Sequence, residues 1–208
     1  MGAAADCELI REGWLGQPVN TLTTLALVAA GTVLISRSRL RWVGIALIAT
    51  GLGSFLFHGP MPEASEWAHD VSLAWLIVVI GGLGESWERW ARMPSLIAIG
   101  VVFAIAPAAA DPIAVVLTVG AIYLALSRDR SIRTLLPMAL IGVTASIGRL
   151  GATGNVLCDP DSLLQMHGIW HVGAAIGVTW WALNTEPLLD QPVSLQGHVT
   201  AASRGLRQ

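Results

Sequence analysis

The sequence QMHGIWH, residues 165–171, begins the last long apolar stretch of the chain and carries its clearest chemical signal. His167 and His171 are four residues apart, so on a helix they lie on the same face, one turn from each other. That spacing lets both imidazoles reach one metal ion. The stretch continues through apolar residues to Trp180 and Trp181, which is long enough for a membrane-spanning helix. The alternative is two surface histidines that are hydrogen-bonded to their neighbours.

The composition predicts an integral membrane protein. Of the 208 residues, 54% are hydrophobic and 12% are charged, and this charged share is about half that of an average soluble domain. The apolar runs are too long for barrel strands and do not alternate with period two, which favours helices. We therefore predict an all-α seven-transmembrane helix bundle over residues 1–184, followed by a short cytoplasmic tail, 185–208. The runs cover 19–36, 42–58, 67–84, 94–110, a fifth run from the break at Asp111-Pro112 to 127, 134–150 and 163–181.

The arginines predict the orientation of this bundle. All 12 basic residues are arginines, and most lie in the first, third and fifth connections or in the C-terminal tail. By the positive-inside rule, the N-terminus is outside and the C-terminus is cytoplasmic. The N-terminal residues lack the apolar core of a signal peptide. The clustered arginines are Arg37, Arg39, Arg41, Arg89, Arg92, Arg128, Arg130, Arg133, Arg204 and Arg207.

Several function classes are excluded or disfavoured by composition. A retinal photoreceptor needs a lysine for its Schiff base, and the chain has none. An ion transporter is expected to carry charges in several helices, yet the fourth and fifth runs have none in their interiors. We expect no nucleic-acid partner, and the sequence does not indicate an oligomeric state.

The predicted topology brings further polar residues to the level of the histidine pair. The second helix runs outward and ends at His58, with Ser54 one turn deeper, and the third helix runs inward and begins near Asp70. Three neutral imidazoles with one open position form the ligand set of a catalytic zinc ion. We therefore predict that His58, His167 and His171 bind Zn²⁺.

Other side chains would complete a hydrolytic site. Zinc lowers the pKa of bound water towards neutrality, and Asp70 is the candidate general base, or alternatively a carboxylate that orients a histidine ligand. Ser54 could donate a hydrogen bond to a developing oxyanion, or bond back to its own helix. His69 is rotated by about 100° from Asp70 around the helix, so we expect it at the membrane interface rather than on the metal.

Together these motifs resemble the alkaline ceramidases, which belong to a superfamily of seven-helix membrane hydrolases that includes progestin and adiponectin receptor-like proteins. The resemblance covers most of the helical core. It implies the same three-histidine zinc site, with Asp70 activating water and Ser54 near the oxyanion. The motifs are GSFLFH at 53–58, HD at 69–70 and HGIWH at 167–171, with Cys7-Glu8 and Asn20-Thr21 similar to the N-terminal signature of the family.

The N-terminal region departs from that family in its calcium ligands. Animal alkaline ceramidases carry an acidic calcium site around the N-terminal motif, and Asp6 and Glu8 fit it. Ile10 stands where a polar ligand is expected, however, and Gln17 replaces a Glu. These departures weigh against a calcium site formed by Asp6, Glu8 and Gln17.

The chain has two cysteines, Cys7 and Cys158. The predicted topology puts both on the outer, oxidising side. A disulfide between them would tie the N-terminal segment to the loop before the seventh helix, and the family resemblance supports this pairing. Two free thiols are the alternative.

The leading functional hypothesis is a zinc-dependent lipid amidase with its active site near the extracytoplasmic face. Ceramide or a similar N-acyl lipid would enter between helices and be cleaved to a fatty acid and a long-chain amine. The alternative is a non-enzymatic, receptor-like seven-helix protein with a structural metal. Such a site normally has four protein ligands, so Asp70 would have to supply the fourth.

Overall fold

The computed structural model describes residues 2–190, and within that range the chain is helical and contains no strand. Each of the seven apolar runs forms a helical rod, which confirms the all-α prediction. The first rod consists of two helices that meet at Thr24. The α-helices are α1 (Pro18–Thr23), α2 (Leu25–Ile35), α3 (Arg41–His58), α4 (Ser65–Gly82), α5 (Glu88–Ile105), α6 (Ala110–Arg128), α7 (Ile132–Leu150) and α8 (Met166–Thr185).

The predicted boundary between the fourth and fifth rods is wrong. Helix α5 starts at Glu88 rather than Pro94, and the break falls at a short 3-10 helix, Pro107–Ala109. Asp111 and Pro112 instead lie in the first turn of α6. Proline is tolerated there because its missing N–H would have no intrahelical partner, and a carboxylate is favourable next to the positive end of the helix dipole.

Three helical spans are long and apolar enough to cross a membrane, namely Pro18–Ile35, Arg41–His58 and Pro107–Arg128. The last of these exposes Val115, Val116, Val119 and Tyr123 on its outer side, each with 63–70% of its surface accessible. Such a continuous apolar face is costly in water and suits lipid. These features indicate a membrane protein. The other rods carry charged residues or histidines near their ends, which lower their mean hydropathy.

Close helix packing forms one main core. Helix α4 packs against α3, α5 and α6, while α2 lies between α3 and α8, and α7 packs on α8. Helices α2 and α3 approach closely at Gly31 and Gly44. A Cβ atom at Gly31 would lie only 2.6 Å from the carbonyl oxygen of Gly44, so a larger residue would not fit there. Small residues allow this contact in membrane bundles. Leu47 and Val79 are fully buried in the core, with accessible fractions of 0% and 1%.

Residues 2–17, which we call the N-terminal strap, cross the end of the bundle where α3 ends and α8 begins. The predicted disulfide is confirmed: Cys7 and Cys158 are bonded, with their Cα atoms 5.6 Å apart. Two hydrogen bonds reinforce this link. The Cys7 N–H donates to Thr153 Oγ1, and the Thr153 N–H donates to the carbonyl of Ala5. The N–H of Gln17 bonds to the carbonyl of His58 at 2.8 Å. The strap is therefore fixed to both α3 and the loop before α8.

The strap also caps α1. The Glu8 carboxylate is buried and accepts hydrogen bonds from the N–H groups of Val19 and Asn20, at 2.8 and 2.7 Å. These N–H groups have no intrahelical partner, and a negative charge is favourable at that end of a helix. Pro18 occupies the first helical position, where no N–H is needed.

The predicted tail begins as ordered structure. Glu186–Asp190 form a 3-10 helix, and Glu186 makes a 2.6 Å ion pair with Arg37. Residues 191–208, which include Arg204 and Arg207, lie outside the described residues.

Loss of the disulfide should destabilise the fold. The bond closes a loop with a sequence separation of 151 residues, and removal of such a crosslink typically costs about 2–5 kcal/mol. We expect Cys7→Ser/Cys158→Ser to lower the melting temperature of the detergent-solubilised protein, and reductant to lower that of the wild type only. An equal response of both proteins to reductant would contradict this prediction.

Candidate metal centre

Three histidines converge at the strapped end of the bundle. His58 is the last residue of α3, and His167 and His171 lie in the first two turns of α8. Their ring centroids are 4.9 Å apart for His58 and His167, 5.4 Å for His58 and His171, and 4.6 Å for His167 and His171. One ligand nitrogen from each ring lies within 4.8 Å of the other two. The structure thus brings together the three histidines that the sequence indicated.

Each histidine has an oxygen atom close to its Nδ1. His58 is hydrogen-bonded to Gln17 Oε1 at 2.7 Å and His171 to Thr23 Oγ1 at 3.0 Å, and His167 Nδ1 lies 3.1 Å from Asp6 Oδ1 as an ion-pair contact. The amide of Gln17 is fixed in this orientation because its Nε2 donates to the carbonyls of Ala3 and Glu8. The Thr23 hydroxyl donates to the carbonyl of Asn20, so its oxygen is free to accept. These partners favour the tautomer with the proton on Nδ1, most directly for His58 and His171, whose partner oxygens belong to groups that donate elsewhere.

The opposite nitrogen of each ring is left without a partner. The Nε2 atoms of His58, His167 and His171 are buried and make no hydrogen bond within the described residues. With the protons on Nδ1, each Nε2 presents a lone pair to the cluster. A shared metal ion satisfies all three lone pairs at once, and a hydrogen-bond acceptor behind each ligand ring is the usual arrangement in metalloproteins. The residues present therefore fit a metal ion.

Gly168 allows α1 to reach the site. A Cβ at this position would lie 3.1 Å from both Cγ2 and Oγ1 of Thr23, which is tighter than ordinary van der Waals contact. The missing side chain between the two α8 histidines thus lets Thr23 approach His171. This gives a packing reason for the glycine in the HGIWH motif.

Ser54 lies where the sequence predicted. It is 1% exposed and sits one turn before His58 on α3. Thr50, one turn earlier, bonds back to the carbonyl of Ala46. Within residues 2–190 the Ser54 hydroxyl makes no such bond, so it is available for another partner.

Asp70 lies next to His69 near the start of α4 and contacts its ring. Its carboxylate accepts a 2.8 Å hydrogen bond from His69 Nδ1, and it does not belong to the group of mutually close ligand atoms. Asp70 also lines a cavity of about 420 Å³ together with Glu63, Trp67 and Asp111. Through this hydrogen bond, Asp70 acts on His69 and not directly on the three histidines.

His69 faces the site rather than the membrane interface. Its ring stacks on Phe57, with centroids 4.9 Å apart, and stands edge-on to His58 at 6.4 Å. The side chain is only 18% exposed. The start of α4 is rotated so that His69, and not its neighbour, turns towards α3, which hydropathy could not predict.

The three residues considered for calcium have other roles. Asp6 contacts His167, Gln17 accepts a hydrogen bond from His58, and Glu8 caps α1. The amide nitrogen of Gln17 points at two carbonyl oxygens that could otherwise serve as cation ligands. We therefore do not propose calcium binding here. In the sequence, the feature that could have indicated a functional role for Gln17 is the high density of polar residues from Gln17 to Thr24 in an otherwise apolar span.

No protein-family model, curated protein or solved structure matches this chain. Function must therefore be inferred from the chemistry of the site.

The contact of the Asp6 carboxylate with His167 Nδ1 should strengthen metal binding. Removing a hydrogen-bond partner of a ligand histidine typically weakens metal affinity about 10–100-fold. We expect this loss for Asp6→Ala, a much smaller loss for Asp6→Asn, which keeps an acceptor oxygen, and none for Glu12→Gln, which removes an exposed carboxylate of the same strap. Competition with a chromogenic zinc chelator measures the affinities. Equal affinities for Asp6→Ala and wild type would contradict the prediction.

Proposed function

We propose that this chain is a zinc-dependent membrane hydrolase that cleaves the amide bond of ceramide or a similar N-acyl lipid. One observation carries the proposal: three histidines converge with their buried Nε2 atoms unpartnered, while each Nδ1 lies beside a side-chain oxygen. Zinc suits a site of three neutral imidazoles, and a three-ligand site keeps a position open for water or substrate. When bound, the ion lowers the pKa of water and polarises a carbonyl.

The location of the site supports a substrate in the membrane. Helix α3 begins at Arg41 and ends at His58, so the arginine-rich connections and the histidines lie at opposite ends of the bundle. By the positive-inside rule, the histidine end faces away from the cytoplasm, with seven spans and an outside N-terminus. The disulfide at the same end agrees with an oxidising compartment.

An apolar groove near the site suits a lipid chain. It has a volume of about 290 Å³ and lies between α3, α4 and α5, with Leu52, Leu56, Val71 and Leu96 among its lining residues. Gly53 and Ala68 also line it, and they directly precede Ser54 and His69 in the chain. A lipid that lies in this groove would reach the histidine end from the side.

We assign proton transfer to His69 and Asp70 acting together. Asp70 holds the proton of His69 on Nδ1, which leaves Nε2 of His69 able to accept a proton. Water attacks the amide carbonyl carbon and gives its proton to His69 Nε2. The same nitrogen then donates that proton to the amine nitrogen as the carbon–nitrogen bond breaks. The products are a fatty acid and a long-chain amine, and Ser54 donates a hydrogen bond to the carbonyl oxygen as it gains charge.

The receptor-like alternative needs a closed metal site. Among the residues that the structure describes, the group of close ligand atoms contains three histidines and no carboxylate. Asp70 is engaged with His69 and does not complete the site. The geometry therefore favours the open site of a hydrolase.

Removing a ligand should abolish both metal binding and activity. We expect His171→Ala to lose bound zinc and hydrolysis of N-acyl lipids, because two imidazoles hold the ion far more weakly than three. Metal analysis of the purified protein and product release from a panel of N-acyl lipids test this. Full zinc content in the variant would refute the proposed site. No hydrolysis by zinc-loaded wild type would refute the proposed reaction.

Removing the proton-transfer pair should separate binding from turnover. We expect His69→Ala and Asp70→Asn to retain zinc while kcat falls about 100-fold or more, the usual contribution of general acid–base catalysis. His69→Ala should be at least as damaging as Asp70→Asn, because Asp70 acts through His69. If only Asp70→Asn were inactive, Asp70 itself would be the base, as the sequence suggested.

A further inference from the structure

The side chain of Asn20 is a buried polar group that the proposed mechanism does not use. Its residue is 0% exposed, and neither Oδ1 nor Nδ2 has a hydrogen-bond partner within the described residues. An amide buried without partners costs about 1–3 kcal/mol, so such groups are rare in folded proteins. Its backbone is fully engaged, with the N–H bonded to Glu8 and the carbonyl accepting from Thr23. The side chain alone is unpaired.

The position of Asn20 on α1 places it between two contacts to the metal centre. Gln17, three residues earlier, bonds to His58, and Thr23, three residues later, bonds to His171. Residues spaced by three lie on the same side of a helix, so Asn20 is at the middle of the face that the other two define. Helix α1 packs on α3 and α8, which carry these histidines. The unpaired amide therefore belongs to the face of α1 that borders the histidine cluster.

We propose that the Asn20 amide binds the substrate carbonyl oxygen in this site. Nδ2–H would donate a hydrogen bond to that oxygen, and the bond strengthens as the oxygen becomes negative during attack by water. The inference rests on the proposed hydrolase function and adds a second donor beside Ser54. Amide side chains serve this purpose when they are held rigidly in a site that excludes water.

The surrounding contacts supply that rigidity. Glu8 fixes the Asn20 N–H at 2.7 Å, and Glu8 itself belongs to the disulfide-linked strap. The hydroxyls of Thr21, Thr23 and Thr24 each bond to a carbonyl one turn earlier on α1. The backbone that carries the donor is therefore held in place before substrate arrives, so little movement of α1 is needed during the reaction.

Substitution by leucine distinguishes a catalytic amide from a merely buried one. Leucine has the same branched arrangement of side-chain heavy atoms and no polar atoms, so Asn20→Leu removes the buried unpaired groups and should keep the melting temperature close to that of the wild type. The control is Thr179→Val, which removes another buried unpaired polar atom, located on α8 eight residues beyond His171. We expect kcat on N-acyl lipids to fall about 100–1000-fold for Asn20→Leu and to stay near the wild-type value for Thr179→Val.

Zinc content and melting temperature are measured on the same preparations. Unchanged zinc content together with the loss of kcat supports the proposal. Wild-type kcat in Asn20→Leu overturns it and leaves the hydrolase function intact, whereas loss of zinc from this variant overturns it by making Asn20 part of the metal-binding shell. If zinc-loaded wild type hydrolyses no lipid of the panel, the proposed function itself fails, and this inference fails with it.

Discussion

The oxygen atom held beside Nδ1 of each site histidine is the constraint on which the rest of the site depends. An imidazole can turn either nitrogen towards a metal, and the group that holds the other nitrogen decides which one. Gln17, Asp6 and Thr23 each occupy the Nδ1 side, so all three Nε2 atoms are directed to the same place. Two of these acceptors belong to the strap and the third to α1, whereas the ligands belong to α3 and α8. The arrangement of the three histidines therefore depends on correct docking of the strap on the end of the bundle.

That docking explains why the first residues of the chain are so densely connected. The disulfide, the buried Glu8 carboxylate and the backbone bonds from Gln17 and Thr153 all act on the same short strap. Hydrophobic burial drives the helices together, whereas Leu9, Ile10 and Trp14 of the strap remain largely exposed. Covalent and charge-assisted bonds replace it there. The capped N-terminus of α1 couples the strap to Asn20 and Thr23, so displacement of the strap would disturb the site from two sides.

The parts that the sequence could predict are those that depend on local pattern. Apolar runs located the seven rods, and the spacing of His167 and His171, together with the predicted level of His58, located the metal ligands. The break at Asp111-Pro112 was wrong because a proline in the first turn of a helix looks the same in sequence as one that ends a helix. The roles of Asp6, Gln17 and His69 could not be predicted. They depend on where the strap docks and on how α1 and α4 are rotated about their helix axes. Helices that are apolar on most sides give little information about that rotation.

The surroundings of the three ligands also bear on whether the centre is structural or catalytic. A structural ion is best served by a fourth protein ligand that excludes water. Here the nearby polar groups are His69, whose ring lies 6.4 Å from that of His58, the buried hydroxyl of Ser54 and the buried amide of Asn20. None of them belongs to the described group of close ligand atoms, yet each can donate or accept a proton or hydrogen bond. The burial of such polar groups is unfavourable unless they have a partner. A polar molecule that entered beside the histidines would supply that partner, which is the arrangement that the proposed hydrolysis requires.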